Sequence, residues 1–128
     1  MRKVKVQLVY APTRVPGRFA ELHEGLTPPL GILSLAAYLR AKIPDLDIRC
    51  TDGLQIGYGE TAEAIHSFKP DVLGLSFNTP VARSAYALID EIRPALPDSI
   101  ILCGGAHVTS LPEECLRISP ADAVVGGE

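Results

Sequence analysis

The chain reads as one α/β domain: a doubly wound, five-stranded parallel sheet with helices on both faces. Three observations lead there. Val72–Phe77 and Ile100–Cys103 are short apolar runs of the kind seen in strands buried on both faces, and Val4–Tyr10 reads as a first strand in which apolar and polar residues alternate. Each gives way to proline or glycine, at Pro12, at Thr79-Pro80 and at Gly104-Gly105, before a stretch of helical composition. Strand and helix then alternate through the whole chain, which calls for parallel pairing through right-handed crossovers.

Taken in order, Val4–Tyr10 leads into a long connection from Ala11 to Leu26, broken by Pro12, Pro16 and Gly17. Loops of that length in compact domains are commonly functional. Thr27-Pro28-Pro29 opens the first helix, with Thr27 as N-cap and proline tolerated in the first turn. That helix runs to about Ala41, apolar on all sides, and Pro44 stops it. Asp47–Cys50 is a short second strand, Thr51–Gly59 a glycine-rich loop, and Glu60–Phe68 the second helix. After the third strand, Val72–Phe77, Thr79-Pro80 caps a helix reaching Ile92. Ile100–Cys103 is the fourth strand. Ser110-Leu111-Pro112-Glu113 has capping-box spacing for a fourth helix ending near Ile118, and Ala123–Val125 reads as the fifth strand.

For five strands the favoured order is the flavodoxin-like 2-1-3-4-5, here without its final helix, and ligands in such sheets sit outside the carboxyl ends of the strands. That edge gathers Tyr10, then Ser76-Phe77-Asn78-Thr79, then Gly104-Gly105-Ala106-His107. Gly74, Ser76, Thr79, Gly104, Gly105 and Ala106 are all small, and small residues at the ends of adjacent strands suggest a slot between sheet and helices. Ser76 offers a hydroxyl in that slot. For His107, beside the glycine pair, contact with a ligand and capping of the loop both remain open.

Composition removes several function classes. A net charge of −3 gives no basic face for nucleic acid. The most apolar stretch, Pro28 to Leu39, is far shorter than the roughly 20 residues of a membrane span. The amino terminus is basic but alternates, with no signal-peptide core. Three cysteines without a CxxC pair fit reduced thiols and a cytoplasmic location. Neither these cysteines nor His23, His66 and His107 have metal-ligand spacing, so no protein metal site is expected. Gly57-Tyr58-Gly59-Glu60-Thr61-Ala62 spells a dinucleotide fingerprint, but it follows the second strand rather than the first, which favours plain loop glycines.

Four pieces, in order along the chain, carry a family resemblance: Pro28-Pro29-Leu30-Gly31 with the apolar helix after it, Asp71 to Ser76, Gly104-Gly105-Ala106-His107 with Leu111-Pro112-Glu113-Glu114, and Asp122 to Glu128. The chain resembles the amino-terminal cobalamin-binding domain of B12-dependent radical S-adenosylmethionine enzymes, the group of class B methyltransferases and the anaerobic magnesium-protoporphyrin ester cyclase. Of the wider cobalamin signatures, Gly104-Gly105 matches GG and Ser76 matches the serine of SxL. In place of the aspartate and histidine of DxHxxG stand Leu26 and Pro28, and proline cannot ligate cobalt. Asp52-Gly53-Leu54-Gln55-Ile56-Gly57 has that spacing with leucine for histidine, but after the wrong strand, and reads as coincidence.

The resemblance implies a module that presents cobalamin to a radical S-adenosylmethionine barrel in the same polypeptide, for methyl transfer or cyclisation. The iron–sulfur cluster and S-adenosylmethionine belong to that downstream domain, since no CxxxCxxC occurs here. This makes the chain the amino-terminal piece of a longer protein, not catalytic by itself. The expected cofactor contacts are Tyr10, Pro28, Leu30, Gly31, Ser76, Phe77, Asn78, Thr79, Gly104, Gly105, Ala106 and His107. Cobalamin is expected base-off and histidine-off, the nearest imidazole in the loop being His23. A side chain at Gly105 is expected to fill the space of the nucleotide tail without harming the fold. Apolar surface left bare near the carboxyl end would favour a homodimer. The contrasting expectation is a docking or regulatory domain that keeps the fold without the cofactor.

Overall fold

Period-two alternation assigns each strand residue to one side of a sheet. In the first strand, β1 (Lys5–Tyr10), it sends Val6 and Leu8 one way and Val9, with Ala11 beyond it, the other. A computed structural model describes residues 2–14 and 28–127 and confirms the parallel sheet. Its strands are β1, β2 (Asp47–Asp52), β3 (Val72–Ser76), β4 (Ile100–Gly104) and β5 (Ala123–Val124), ordered β2-β1-β3-β4-β5. Every pair is parallel.

The helices are α1 (Leu30–Lys42), α2 (Gly53–Ile56), α3 (Tyr58–Phe68), α4 (Ala82–Ile92), α5 (Ala106–Ser110) and α6 (Pro112–Ile118). Against one face of the sheet pack Ile65 of α3, Leu88, Ile89 and Ile92 of α4, and Cys115 of α6. They meet Val9, Leu73, Leu75, Ile101 and Cys103 in one buried cluster. Each fully buried leucine or isoleucine there contributes about 1.5–3 kcal/mol, so this face carries the stability of the fold. Burial also raises the Cys103 thiol pKa well above its usual range, so that it behaves as a small apolar side chain.

The opposite face is thinner. Ile32 and Ala36 of α1 cover Val6, Leu8 and Ile48, so the helix shields β1 and β2. Among the described residues no helix lies over β3 and β4 on that side, where Ile100 is 51% exposed and Gly74 and Leu102 are half-buried. Because α1 is apolar all round yet buries so little, Leu30, Leu33, Leu35 and Tyr38 are left exposed.

Local differences from the sequence expectation have physical causes. Strand β2 runs two residues past its apolar portion, because Thr51 and Asp52 pair with Val9 and Tyr10. The expected loop from Thr51 to Gly59 contains α2, and Gly57, at φ +91°, breaks the helical path before α3. The paired glycines Gly57 and Gly59 thus form a helix junction, with Thr61 Oγ1 donating to the Gly57 carbonyl. Thr79 does not cap: Thr79–Val81 is a 3₁₀ turn that precedes α4. The capping box at Ser110 does not form either, since α5 begins directly after Gly105 and takes Ser110 as its last residue. Thr27, expected to cap α1, lies outside the described residues.

Candidate functional site

Parallel register lines up one residue from each of four strands at the carboxyl edge. Tyr10 pairs with Asp52 on one side and Ser76 on the other, and Ser76 pairs with Gly104. The row Asp52–Tyr10–Ser76–Gly104 spans about 14 Å at ordinary strand spacing. By alternation it faces the α1 side, the side left open over β3 and β4. A trough of small or absent side chains therefore runs down the sheet from the edge, through Ser76 and Gly104 to Gly74. A Cβ added at Gly104 would meet only the Val125 carbonyl, at 3.6 Å, an ordinary contact. At Gly74 it would touch a Leu8 methyl at 3.0 Å.

The two edge glycines have different jobs. Gly105 sits at φ +102°, and a Cβ there would lie 2.7 Å from the Phe77 carbonyl oxygen and 2.8 Å from the Phe77 nitrogen. The space beside Gly105 is occupied by the protein's own backbone, so a side chain at this position strains the fold itself. This revises the expectation that it would leave the fold intact. Phe77 points the other way, fully buried in the main core.

His107 is buried at 5% exposure, and both ring nitrogens are engaged. Its Nε2–H donates to Glu114 Oε1 (2.9 Å), and Nδ1 shares a hydrogen bond with the Thr79 hydroxyl (3.1 Å). Tyr86 also donates to Glu114 Oε1, at 3.1 Å. The hydrogen bond from His107 holds the Glu114 carboxyl below its usual range, and burial drives the Tyr86 phenol upward. The network ties the loop after β3 to α6, so in this structure His107 braces the edge from behind. Thr79 and Ala106 are themselves exposed at that edge.

Asn78 joins the front, its Nδ2 donating to the Tyr10 hydroxyl at 3.2 Å. Pro28, Leu30 and Gly31 come at the amino-terminal end of α1; Pro28 is exposed, Leu30 is 66% exposed and nothing lies within 4 Å of a Cβ on Gly31. His23 and most of the connection after β1 lie outside the described residues. Asp52 entered the sequence reading only as the aspartate of a DxHxxG-like spacing set aside as coincidence, not as a site residue. Its Oδ1 is buried and has no hydrogen-bond partner.

These residues suit an elongated, largely apolar ligand portion with hydrogen-bonding groups at one end. Gly74, Ser76 and Gly104 leave the depth, Leu102 and Ile100 supply apolar walls, and Tyr10, Asn78 and Asp52 supply polarity at the rim. Among the described residues no cluster of three or more metal-ligating side chains is present, and no helix is long and apolar enough to cross a membrane.

Comparison with known proteins identifies the family. The chain is 32% identical, over its full length, to an uncharacterized methyltransferase of Pyrococcus horikoshii, and spans 28% of that protein. It is 30% identical over 107 residues, 81% of the chain, to the anaerobic magnesium-protoporphyrin IX monomethyl ester cyclase of Rubrivivax gelatinosus, spanning 19% of it. The chain thus covers only about a fifth to somewhat over a quarter of the length of these curated relatives. The profile of the B12 binding domain matches residues 22–128. The chain belongs to the B12-binding domain family.

Proposed function

We propose that the chain holds cobalamin with its nucleotide tail in the trough beside Gly74, Ser76 and Gly104, and presents the corrin above the row Tyr10–Ser76–Gly104. The observation that carries this is the open α1-side face over β3 and β4, where strand residues have lost their side chains at the position a tail would take. When bound, cobalamin supplies a cobalt centre able to carry a methyl group or take part in radical chemistry. The chain's own residues bind and orient. Asn78 fixes the Tyr10 ring at the rim, and the Thr79–His107–Glu114 network keeps the loop after β3 and the start of α5 in register.

The partner in this reading is a radical S-adenosylmethionine barrel in the same polypeptide. Its support is that both relatives are several times longer and that one is named a methyltransferase and the other an ester cyclase. The aligned histidine position holds Pro28, which has neither a side-chain donor atom nor a backbone N–H. Cobalamin held this way would have no histidine ligand from the Pro28 position, and with its tail in the trough it would be base-off.

The test is to incubate the chain with hydroxocobalamin, desalt, reduce to Co(II) and record the electron paramagnetic resonance spectrum. Retained cobalt without triplet splitting from an axial nitrogen is the expected result. Triplet splitting overturns the base-off, histidine-off state, and loss of all colour on desalting supports a cofactor-free docking domain instead.

A further inference from the structure

We propose that Asp52 is a cofactor-contacting residue, its carboxylate accepting N–H groups from the primary amides that fringe the corrin ring. The inference rests on the cobalamin reading above and adds to it a residue and the chemical group it recognises.

The starting point is an anomaly. Buried polar atoms in folded proteins almost always have a partner, because an unsatisfied one costs about 1–3 kcal/mol, and more when charged. Asp52 Oδ1 is buried without one. The residue is the N-cap of α2, a position where aspartate ordinarily accepts a backbone N–H, yet its side chain makes no capping bond. No lysine, arginine or histidine among the described residues pairs with it. Among the described residues the other unpartnered buried oxygen, Gln7 Oε1, belongs to mid-strand β1 on the opposite side of the sheet, away from the edge.

Position points to a ligand. Asp52 ends β2 in register with Tyr10, at the end of the row that carries Ser76 and Gly104. Alternation puts it on the α1 side with Ile48 and Cys50. The backbone beside it is clamped: a Cβ on Gly53 would lie 2.5 Å from the Tyr10 carbonyl oxygen and 2.8 Å from the Pro12 nitrogen. The β2–α2 turn is thus pressed against the chain leaving β1. The residue is only half-buried, so part of its side chain is open to an incoming donor at the edge.

The ligand chemistry follows from the surroundings. A metal ion would want several ligands, and no such cluster exists among the described residues. A neutral N–H donor needs only this carboxylate, and a charge-assisted hydrogen bond of that kind is among the stronger ones. Cobalamin offers primary amides around its rim, within the width of a row that a tail in the trough already anchors.

The test measures retention of hydroxocobalamin, and of the cobalamin monocarboxylates obtained by hydrolysing one peripheral amide, by the wild-type chain, Asp52→Asn and Asp52→Ala. Wild type should reject at least one monocarboxylate by about tenfold or more relative to hydroxocobalamin, because two carboxylates would then face each other. Asp52→Asn should abolish that discrimination, and Asp52→Ala should weaken hydroxocobalamin by about tenfold. Without cofactor, Asp52→Asn should melt no lower than wild type, since it takes the charge off a carboxyl group with an unpartnered buried oxygen. Both variants matching wild type in affinity and discrimination, or a lower melting point with discrimination unchanged, overturns the role of Asp52 and leaves the cobalamin reading standing. A wild-type chain that retains no hydroxocobalamin overturns both.

Discussion

Gly105→Ala is expected to destabilise the fold by about 2–5 kcal/mol, although it adds one methyl group at the sheet edge. Two costs combine. An L-residue held at positive φ loses roughly 1–2 kcal/mol, and Gly105 sits at +102°. The new Cβ would also overlap the Phe77 backbone at 2.7 and 2.8 Å. Overpacking of that kind costs about 1–3 kcal/mol, and here the obstacle is main chain, which cannot step aside as a side chain can. Phe77 is fully buried and packs edge-on against Tyr86, so a shift of its backbone disturbs the main core. Thermal melting of the chain without cofactor reads the effect, with a fall of about 10 °C or more expected. A melting point within a few degrees of wild type would mean that the edge is soft enough to absorb a side chain.

Gly104→Leu has the opposite profile. A Cβ at Gly104 meets only the Val125 carbonyl, at ordinary van der Waals distance, and its φ lies outside the positive region. A leucine on β4 also restores a side chain where glycine weakens a strand by about 0.5–1 kcal/mol. The fold should keep its melting point to within a few degrees. The leucine then projects on the α1 side, into the space assigned to the nucleotide tail. Cobalamin retention should fall by at least about 100-fold, seen as free cofactor after desalting. Gly105→Ala and Gly104→Leu thus separate two adjacent glycines that look alike in the sequence, one needed by the fold and one by the ligand.

That separation marks the limit of what sequence reading delivered. The sheet order was legible because Leu73, Leu75, Ile101 and Cys103 sit in unbroken apolar runs and because Thr79-Pro80 and Gly104-Gly105 punctuate their ends. Which glycine presses on backbone and which opens a slot depends on φ and on a contact across strands, neither of which is a property of the dipeptide. The α5 helix was missed for a related reason. The Ser110–Glu113 spacing satisfies the capping rule, but the turn at Gly105 starts a helix earlier and uses up Ser110. Asp52 was hidden by propensity: aspartate is depleted in strands, and only its pairing with Tyr10 draws it into β2 and onto the edge row. His107 was legible beside the glycine pair, but its position between Thr79 and Glu114 joins residues 28 positions before and seven after it, which the local sequence does not show.

The central claim is that the trough over β3 and β4 receives the nucleotide tail, and the most direct measurement compares cobalamin with cobinamide, which has the same corrin and amides but no nucleotide tail. Both should be offered to the wild-type chain at equal concentration, with retention after gel filtration read from the visible spectrum. The account predicts that cobalamin stays bound while cobinamide is retained at least about 100-fold less tightly, because only the tail can enter the space beside Gly74, Ser76 and Gly104. Equal retention of the two would contradict it, since the corrin alone would then carry the affinity and the trough would be empty of function.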